Sequence, residues 1–220
     1  ERECAEAEAK RDEYESAWSS ALQFAAVTGE LNVKFSLEIH PKVYSFKQHF
    51  GRELVALRLS HVLGREGLPS RVGEIMSLTT LSLASNGLTS LPDSLCQLTQ
   101  LTSLNLLRNR LVELPSSIGN LGPRLTELRI ATNRLEKLPA AIGTLTRLDR
   151  LVVDCNRVRR LPDTLAELTC HTVSINANRL VSLPNSLFEM KSLTMLTAND
   201  NKIRQIPNSI DESKSLTRMS

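Results

Sequence analysis

From Leu78 onward the apolar positions of the chain return in a fixed rhythm. Six consecutive segments align: Leu78 to Gln100, Leu101 to Arg124, Leu125 to Arg147, Leu148 to Thr169, Cys170 to Ser192 and Leu193 to Ser215. Their lengths are 23, 24, 23, 22, 23 and 23 residues, and each reads LxxLxLxxNxLxxLPxxLxxLxx with few departures. An asparagine recurs at Asn86, Asn109, Asn133, Asn156, Asn178 and Asn201. A proline recurs at Pro92, Pro115, Pro139, Pro162, Pro184 and Pro207. Such internal periodicity takes precedence over any local propensity.

Each recurrent position has a physical role. Side chains alternate across a strand, so the LxL element predicts a short strand with both leucines facing inward. Neighbouring turns then pair these strands into a parallel sheet. The asparagine stands where the chain leaves the strand, and its amide is expected to bond the backbone of its own turn and of a neighbour. Proline holds the residue before it out of the α region, so the returning segment starts extended. Leu95 and Leu98, Ile118 and Leu121, Ile142 and Leu145, Leu165 and Leu168, and Leu187 and Met190 lie three apart, which predicts a short helix or 3₁₀ turn on the outer side. The expected architecture is an α/β solenoid: a parallel sheet on the concave side, short helices or 3₁₀ turns on the convex side, and a helical flank at the N-terminus. One turn alone buries too little to offset the entropy of ordering it, so stability comes from stacking.

The division follows from the pattern. Residues 54–220 form the repeat domain, with a degenerate first repeat at 54–77, six regular repeats at 78–215 and the start of a seventh at 216–220. Leu54, Leu57, Leu59, Leu68-Pro69 and Val72 carry the degenerate repeat. Val62 stands there at the asparagine position, so the ladder should break or begin one turn later. Residues 1–50 are different material and hold seven of the eight aromatics. Residues 2–27 lack Pro and Gly and place Tyr14, Trp18, Leu22 and Ala25-Ala26 at helical spacing, predicting an amphipathic helix broken near Thr28-Gly29. Leu31, Val33, Phe35, Leu37 and Ile39 then alternate as in a half-buried strand. This flank either covers the open end of the solenoid or, through Glu1 to Glu15, continues a coiled coil or docking helix from upstream. The chain lacks an initiator Met and stops partway through a repeat, so it is expected to be a piece of a longer protein.

Composition narrows the function. The net charge of +3 divides into −4 over residues 1–20, +2 over 21–77 and +5 over 78–220. That surplus does not demand a nucleic-acid partner. No apolar run reaches the roughly 18–20 residues that span a bilayer. The four cysteines, Cys4, Cys96, Cys155 and Cys170, are scattered without a CxxC pair, which favours a reducing compartment. The nine glycines are dispersed, and GREG at 64–67 lacks the Lys and Ser/Thr of a phosphate loop. GxSxG, HExxH and EF-hand patterns are absent. His40, His49, His61 and His171 are far apart, and no metal or cofactor site is expected. His171 follows Cys170, but a thiol replacing a core leucine should face inward and behave as a small hydrophobe. Cys155 is more exposed by register. The chain therefore reads as a binding protein and not an enzyme.

The 23-residue unit with LPxx(L/I)xxL on its outer side resembles the Ras-group leucine-rich repeats of Scribble- and Erbin-type scaffolds and the plant intracellular Ras-group proteins, over about residues 54–220. The resemblance implies a leucine-rich repeat horseshoe and a cytoplasmic signalling adaptor. Such a protein holds a small GTPase, a phosphatase subunit or another signalling protein on its concave sheet, with no catalytic residues in the repeats. Two alternatives stay open. The chain could be a structural accessory subunit of a large permanent assembly (axonemal, mitochondrial or ribonucleoprotein), placing it within a cytoskeletal or organellar structure beside neighbouring subunits. It could also be the recognition arm of a longer multidomain enzyme.

Two surfaces are candidates. Variable strand positions between and beside the inward leucines should line the concavity, where Arg58, Asn105, Glu127, Arg129, Arg150, Asp154, Asn176 and Asn199 are the expected partner-binding residues. No aromatic patch occurs among them, which argues against a strongly apolar obligate interface. Second, the residue after each asparagine is basic: Arg110, Arg134, Arg157, Arg179 and Lys202, reinforced by Arg159 and Arg160. Stacking would align them along one edge as a strip for phosphates, acidic peptides or RNA backbone. The alternative is that a long basic side chain suits an exposed turn, its stem covering apolar surface.

Overall fold

The computed structural model of the chain describes residues 20–34, 43, 48, 53–61, 67–213 and 215–220. Residues 20–28 form a helix, α1, whose buried Leu22 and Ala25 face the core while Phe24 is exposed. It ends where Gly29 adopts φ +74 and donates its N–H to Ala25 O at 2.7 Å. A positive φ costs glycine nothing, which makes it a natural helix stop. Tyr14 and Trp18, on the expected N-terminal part of the helix, lie outside the described residues.

Nine short strands follow in one parallel sheet, in chain order: β1 (Glu30–Lys34), β2 (Ala56–Ser60), β3 (Thr80–Ser82), β4 (Ser103–Asn105), β5 (Glu127–Arg129), β6 (Arg150–Val152), β7 (Thr172–Ser174), β8 (Met195–Thr197) and β9 (Arg218–Met219). The register joins equivalent positions, so Leu31, Leu57, Leu81, Leu104, Leu128, Leu151, Val173, Leu196 and Met219 form one continuous row. Of the second inward row, Leu83, Leu106, Ile130, Val153 and Ile175 are all at most 1% exposed. Strand β1 lies in the stretch read as flank, so the sheet runs on from the repeats into it.

The convex side carries 3₁₀ turns: Ser70–Glu74, Asp93–Gln97, Ser116–Leu121, Ala140–Thr144, Asp163–Glu167, Asn185–Leu187 and Asn208–Glu212. Each is preceded by a proline with ψ between 140 and 152, the extended entry expected from the Leu-Pro pairs. These turns pack closely. A Cβ on Gly143 would stand 2.3 Å from Thr164 O.

The asparagines form the ladder. Asn133 shows the pattern: its Nδ2 donates to Leu106 O of the preceding turn at 2.9 Å and to Ile130 O at 3.1 Å, while its Oδ1 accepts the Leu111 N–H at 3.1 Å. Asn109, Asn156, Asn178 and Asn201 repeat these contacts. The ladder begins with Asn86, whose Nδ2 donates to Leu59 O at 2.9 Å; Val62 lies outside the described residues. Immediately before the asparagine position the backbone is left-handed in every turn: His61, Ser85, Arg108, Thr132, Cys155, Ala177 and Asp200 have φ between 52 and 59. Left-handed backbone disfavours any residue with a Cβ, and most of all β-branched Thr132.

Candidate interaction surface

The concave face is lined by the variable strand positions. Arg58, Asn105, Glu127, Asp154 and Asn176 are half-buried, while Arg129, Arg150 and Asn199 are exposed. Ala56 of β2, in register with these outward positions, is buried. Its methyl is too short to emerge between Glu30 and Thr80, its partners in the same row.

The structure gathers these residues into separate groups. The central one belongs to β5 and β6, where Glu127 pairs in register with Arg150 and Arg129 with Val152. Thr126, Glu127, Leu128, Arg129, Asp149, Arg150 and Val152 line a depression of about 450 Å³ there. Glu127 is fully engaged: Oε2 accepts from Ser103 Oγ at 2.7 Å, and Oε1 accepts from Arg129 Nε at 2.7 Å. The Ser103 hydrogen bond, joined by those of Arg129 and its charge, holds the Glu127 carboxyl below the usual glutamate range, outweighing a small desolvation. Arg150 is different. Its nearest carboxylate, on Asp149, is 3.8 Å away, and its side chain is 71% exposed. Asp149 also faces His171 Nδ1 at 3.6 Å.

A second group lies on β7 and β8 and the turns that follow β6 and β7. Asp154 accepts from Ser174 Oγ at 2.8 Å and from the Asn176 N–H at 2.7 Å. Asn176 Nδ2 reaches Thr197 Oγ1 at 2.9 Å, and its Oδ1 accepts the Asn199 N–H at 2.9 Å. These groups fix one another. Arg58 stands apart on β2, paired with Glu30 at 3.0 Å, and Asn105 folds onto its own turn through the Leu107 N–H at 3.0 Å.

Asp149 and His171 were missed as site residues, although a signal existed. The residue before the strand is threonine in most turns: Thr79, Thr102, Thr126, Thr194 and Thr217. Each hydroxyl bonds a carbonyl one turn back, as Thr126 Oγ1 does to Thr102 O at 3.1 Å. Asp149 and His171 interrupt this column beside the depression.

The basic residues after the asparagines do align. The N–H groups of Arg110, Arg134, Arg157, Arg179 and Lys202 donate to Leu88, Leu111, Leu135, Val158 and Leu180 carbonyls of the preceding turn, all at 2.8 to 3.0 Å. All five are exposed. Arg159 and Arg160 are exposed on the same flank.

A family model described as Leucine Rich Repeat matches residues 77–98 and 100–121, and the same turn continues through the described structure to Met219. Those two turns match the leucine-rich repeat, and the others share their geometry.

Solved leucine-rich repeat structures share the solenoid. A leucine-rich repeat protein of Leptospira interrogans is 26% identical, with a TM-score of 0.78 over 91% of this chain and 56% of its own. Internalin C2 of Listeria monocytogenes is 17% identical, with a TM-score of 0.75 over 93% of this chain and 92% of its own. The plant peptide hormone receptor RGFR1, solved in complex with RGF2, is 26% identical, with a TM-score of 0.70 over 86% of this chain and 31% of its own. The chain thus spans about half of the Leptospira protein and a third of the receptor. A search of curated protein sequences found no match.

Within the solenoid the thiols separate sharply. Cys96 and Cys170 are buried and free, and Cys155 is exposed and free. Burial pushes the Cys170 thiol up to about 11 and raises that of Cys96 as well. A thiol held protonated in the core is a poor nucleophile. Among the described residues no helix is long and apolar enough to cross a membrane.

Proposed function

We propose that this chain is a non-catalytic scaffold that binds a protein partner through the concave face of its leucine-rich repeats, centred on the depression at β5 and β6. The fold commonly mediates protein–protein interaction. The observation that carries the reading is Arg150: an exposed guanidinium on the concave surface, held only by a 3.8 Å contact with Asp149, where Glu127, Arg129 and Asp154 are tightly hydrogen-bonded. An arginine at the centre of a recognition surface is a frequent hot spot. A rigid sheet with its neighbouring hydrogen bonds already made loses little entropy on binding. A structural relative, the plant peptide hormone receptor RGFR1, is solved in complex with RGF2.

The finer reading is an intracellular signalling adaptor of the Ras-group kind, taking a small GTPase or a phosphatase subunit. The free state of Cys96, Cys155 and Cys170 supports a reducing compartment. The test is affinity capture from a lysate of the encoding organism, with the captured proteins identified by mass spectrometry. Three baits are compared: the wild-type chain, a concave variant (Arg150→Glu with Val152→Arg) and a convex variant (Gln97→Arg with Glu167→Lys). The expected result is a protein held by the wild type and the convex variant and lost by the concave one. Retention by the concave variant, or loss only by the convex one, would overturn the reading. A partner that survives stringent salt washes would mark a permanent subunit in place of a regulatory adaptor.

A further inference from the structure

We propose that the edge beyond the C-terminal ends of the strands is a second interaction surface, which takes an extended acidic polypeptide segment along Arg134, Arg157, Arg159, Arg179, Lys202 and Arg204. Four of these stand directly after an asparagine of the ladder. Arg159 and Arg204 stand two residues further on, where their N–H groups donate to Glu136 and Val181 carbonyls of the preceding turn at 3.3 and 3.4 Å. Two adjacent columns of cations are thereby fixed to the backbone of the solenoid. Turns of a parallel sheet step by about 4.8 Å, so the four cations from Arg134 to Lys202 extend over about 14 Å, the length of roughly four residues of extended chain.

Alignment in adjacent turns, together with the lack of an ion pair among the described residues, marks this edge; Arg124, Arg147 and Lys191 also lack one but do not follow the ladder. Elsewhere Arg58, Arg71, Arg129, Lys137 and Arg150 each have a carboxylate within 4.0 Å. Among the described residues none of the six edge cations has one. Glu136 is the one acid of the second column, which also holds Val112 and Val181, each 47% exposed. Like charges stacked at this spacing repel, and the single acid Glu136 offsets that only in part. An external anion would offset the rest.

The anion is narrowed by what accompanies the cations. Nucleic-acid single strands are held by aromatic platforms between the basic groups. The repeats hold one aromatic, Phe188, and it is buried in the core. Exposed valines among the cations suit aliphatic side chains interspersed with glutamates or aspartates. The edge is two residues wide on a curved solenoid, a poor match to a flat membrane.

Fluorescence anisotropy tests this with three probes: a ten-residue oligoglutamate, a ten-nucleotide oligothymidylate and phosphatidylserine vesicles. The variant Arg134→Glu/Arg157→Glu/Arg179→Glu is compared with Arg124→Glu/Arg147→Glu/Lys191→Glu, which changes net charge equally at the opposite edge, where all three residues are exposed. Oligoglutamate is expected to bind the wild type, with affinity falling as salt screens the charges. The edge variant should lose about tenfold or more and the control less than about threefold, since local charge and not net charge sets the contact. Arg134→Gln/Arg157→Gln/Arg179→Gln should fall between, and its thermal melt guards against misfolding. Equal losses in both reversals, absence of oligoglutamate binding, or preference for oligothymidylate or vesicles would overturn the proposal.

Discussion

The concave centre and the C-terminal edge of the sheet are both rich in charge, yet they are built in opposite ways. On the concave side Glu127 is saturated by Ser103 and Arg129, and Asp154 is saturated by Ser174 and Asn176. At the edge the cations stand in columns, and among the described residues no carboxylate faces Arg134, Arg157, Arg179 or Lys202. Compensated charges fix their own side chains and so present a shaped surface, with Arg150 its most loosely held member, 3.8 Å from Asp149. Uncompensated charges present a field. The first arrangement favours a partner of defined contour, and the second favours a flexible one that follows a line of charge.

The asparagine ladder separates the two surfaces, and its loss should disturb both. Asn133→Ala would strand the Leu111 N–H in a buried setting, while Leu106 O keeps the Asn109 amide and Ile130 O keeps the Asn156 amide. A buried unsatisfied polar group costs about 1–3 kcal/mol, so a loss of that size is expected in chemical denaturation. Gly143→Ala acts on the convex side alone. With Thr164 O 2.3 Å from the new methyl, the turns must part, costing about 1–3 kcal/mol while leaving both binding surfaces unaltered. Melting curves together with the oligoglutamate titration separate these two cases.

Smaller changes probe the join between strand and edge. Thr132→Gly relieves a β-branched residue at φ 57 and should gain up to about 1 kcal/mol, read as a higher Tm, because left-handed backbone costs a β-carbon roughly that much. Charge removal should act with opposite signs on the two surfaces. Arg129→Gln breaks a pair with Glu127 and should destabilise by about 0–1 kcal/mol, as exposed ion pairs do. Arg157→Gln should be neutral or slightly stabilising. Acid behaves accordingly: the Glu127 carboxyl ionises more readily folded than unfolded, so its contribution is present above the ordinary glutamate range and lost as pH falls through its lowered value. Ser103→Ala, followed by carboxyl NMR titration, should move that value upward. Cys155 should react with a thiol reagent in the native state while Cys96 and Cys170 wait for unfolding.

Much of this architecture is legible in the spacing of leucine, asparagine and proline. The inward rows, the ladder and the 3₁₀ turns follow because each recurrent side chain has one physical task that the solenoid repeats. Two features were not legible for physical reasons. The left-handed position before each asparagine is occupied by His, Ser, Arg, Thr, Cys, Ala and Asp, which share no propensity; the ladder imposes the conformation on whatever stands there. The pairing of Glu127 with Ser103 and of Asp154 with Asn176 depends on side chains from different turns choosing one another across the sheet. Asp149 and His171 could have been found, because they break a threonine column that the sequence displays. A departure from a repeat is as informative as the repeat itself.

Site-specific photo-crosslinking in cells tests the assignment of recognition to the concave face most directly. A benzophenone amino acid at Val152, on the floor of the depression, is compared with one at Thr144 on the convex turns. A crosslinked partner from position 152 and none from 144 is the expected result. Crosslinks from 144 with 152 silent would place the partner on the opposite face and contradict the account.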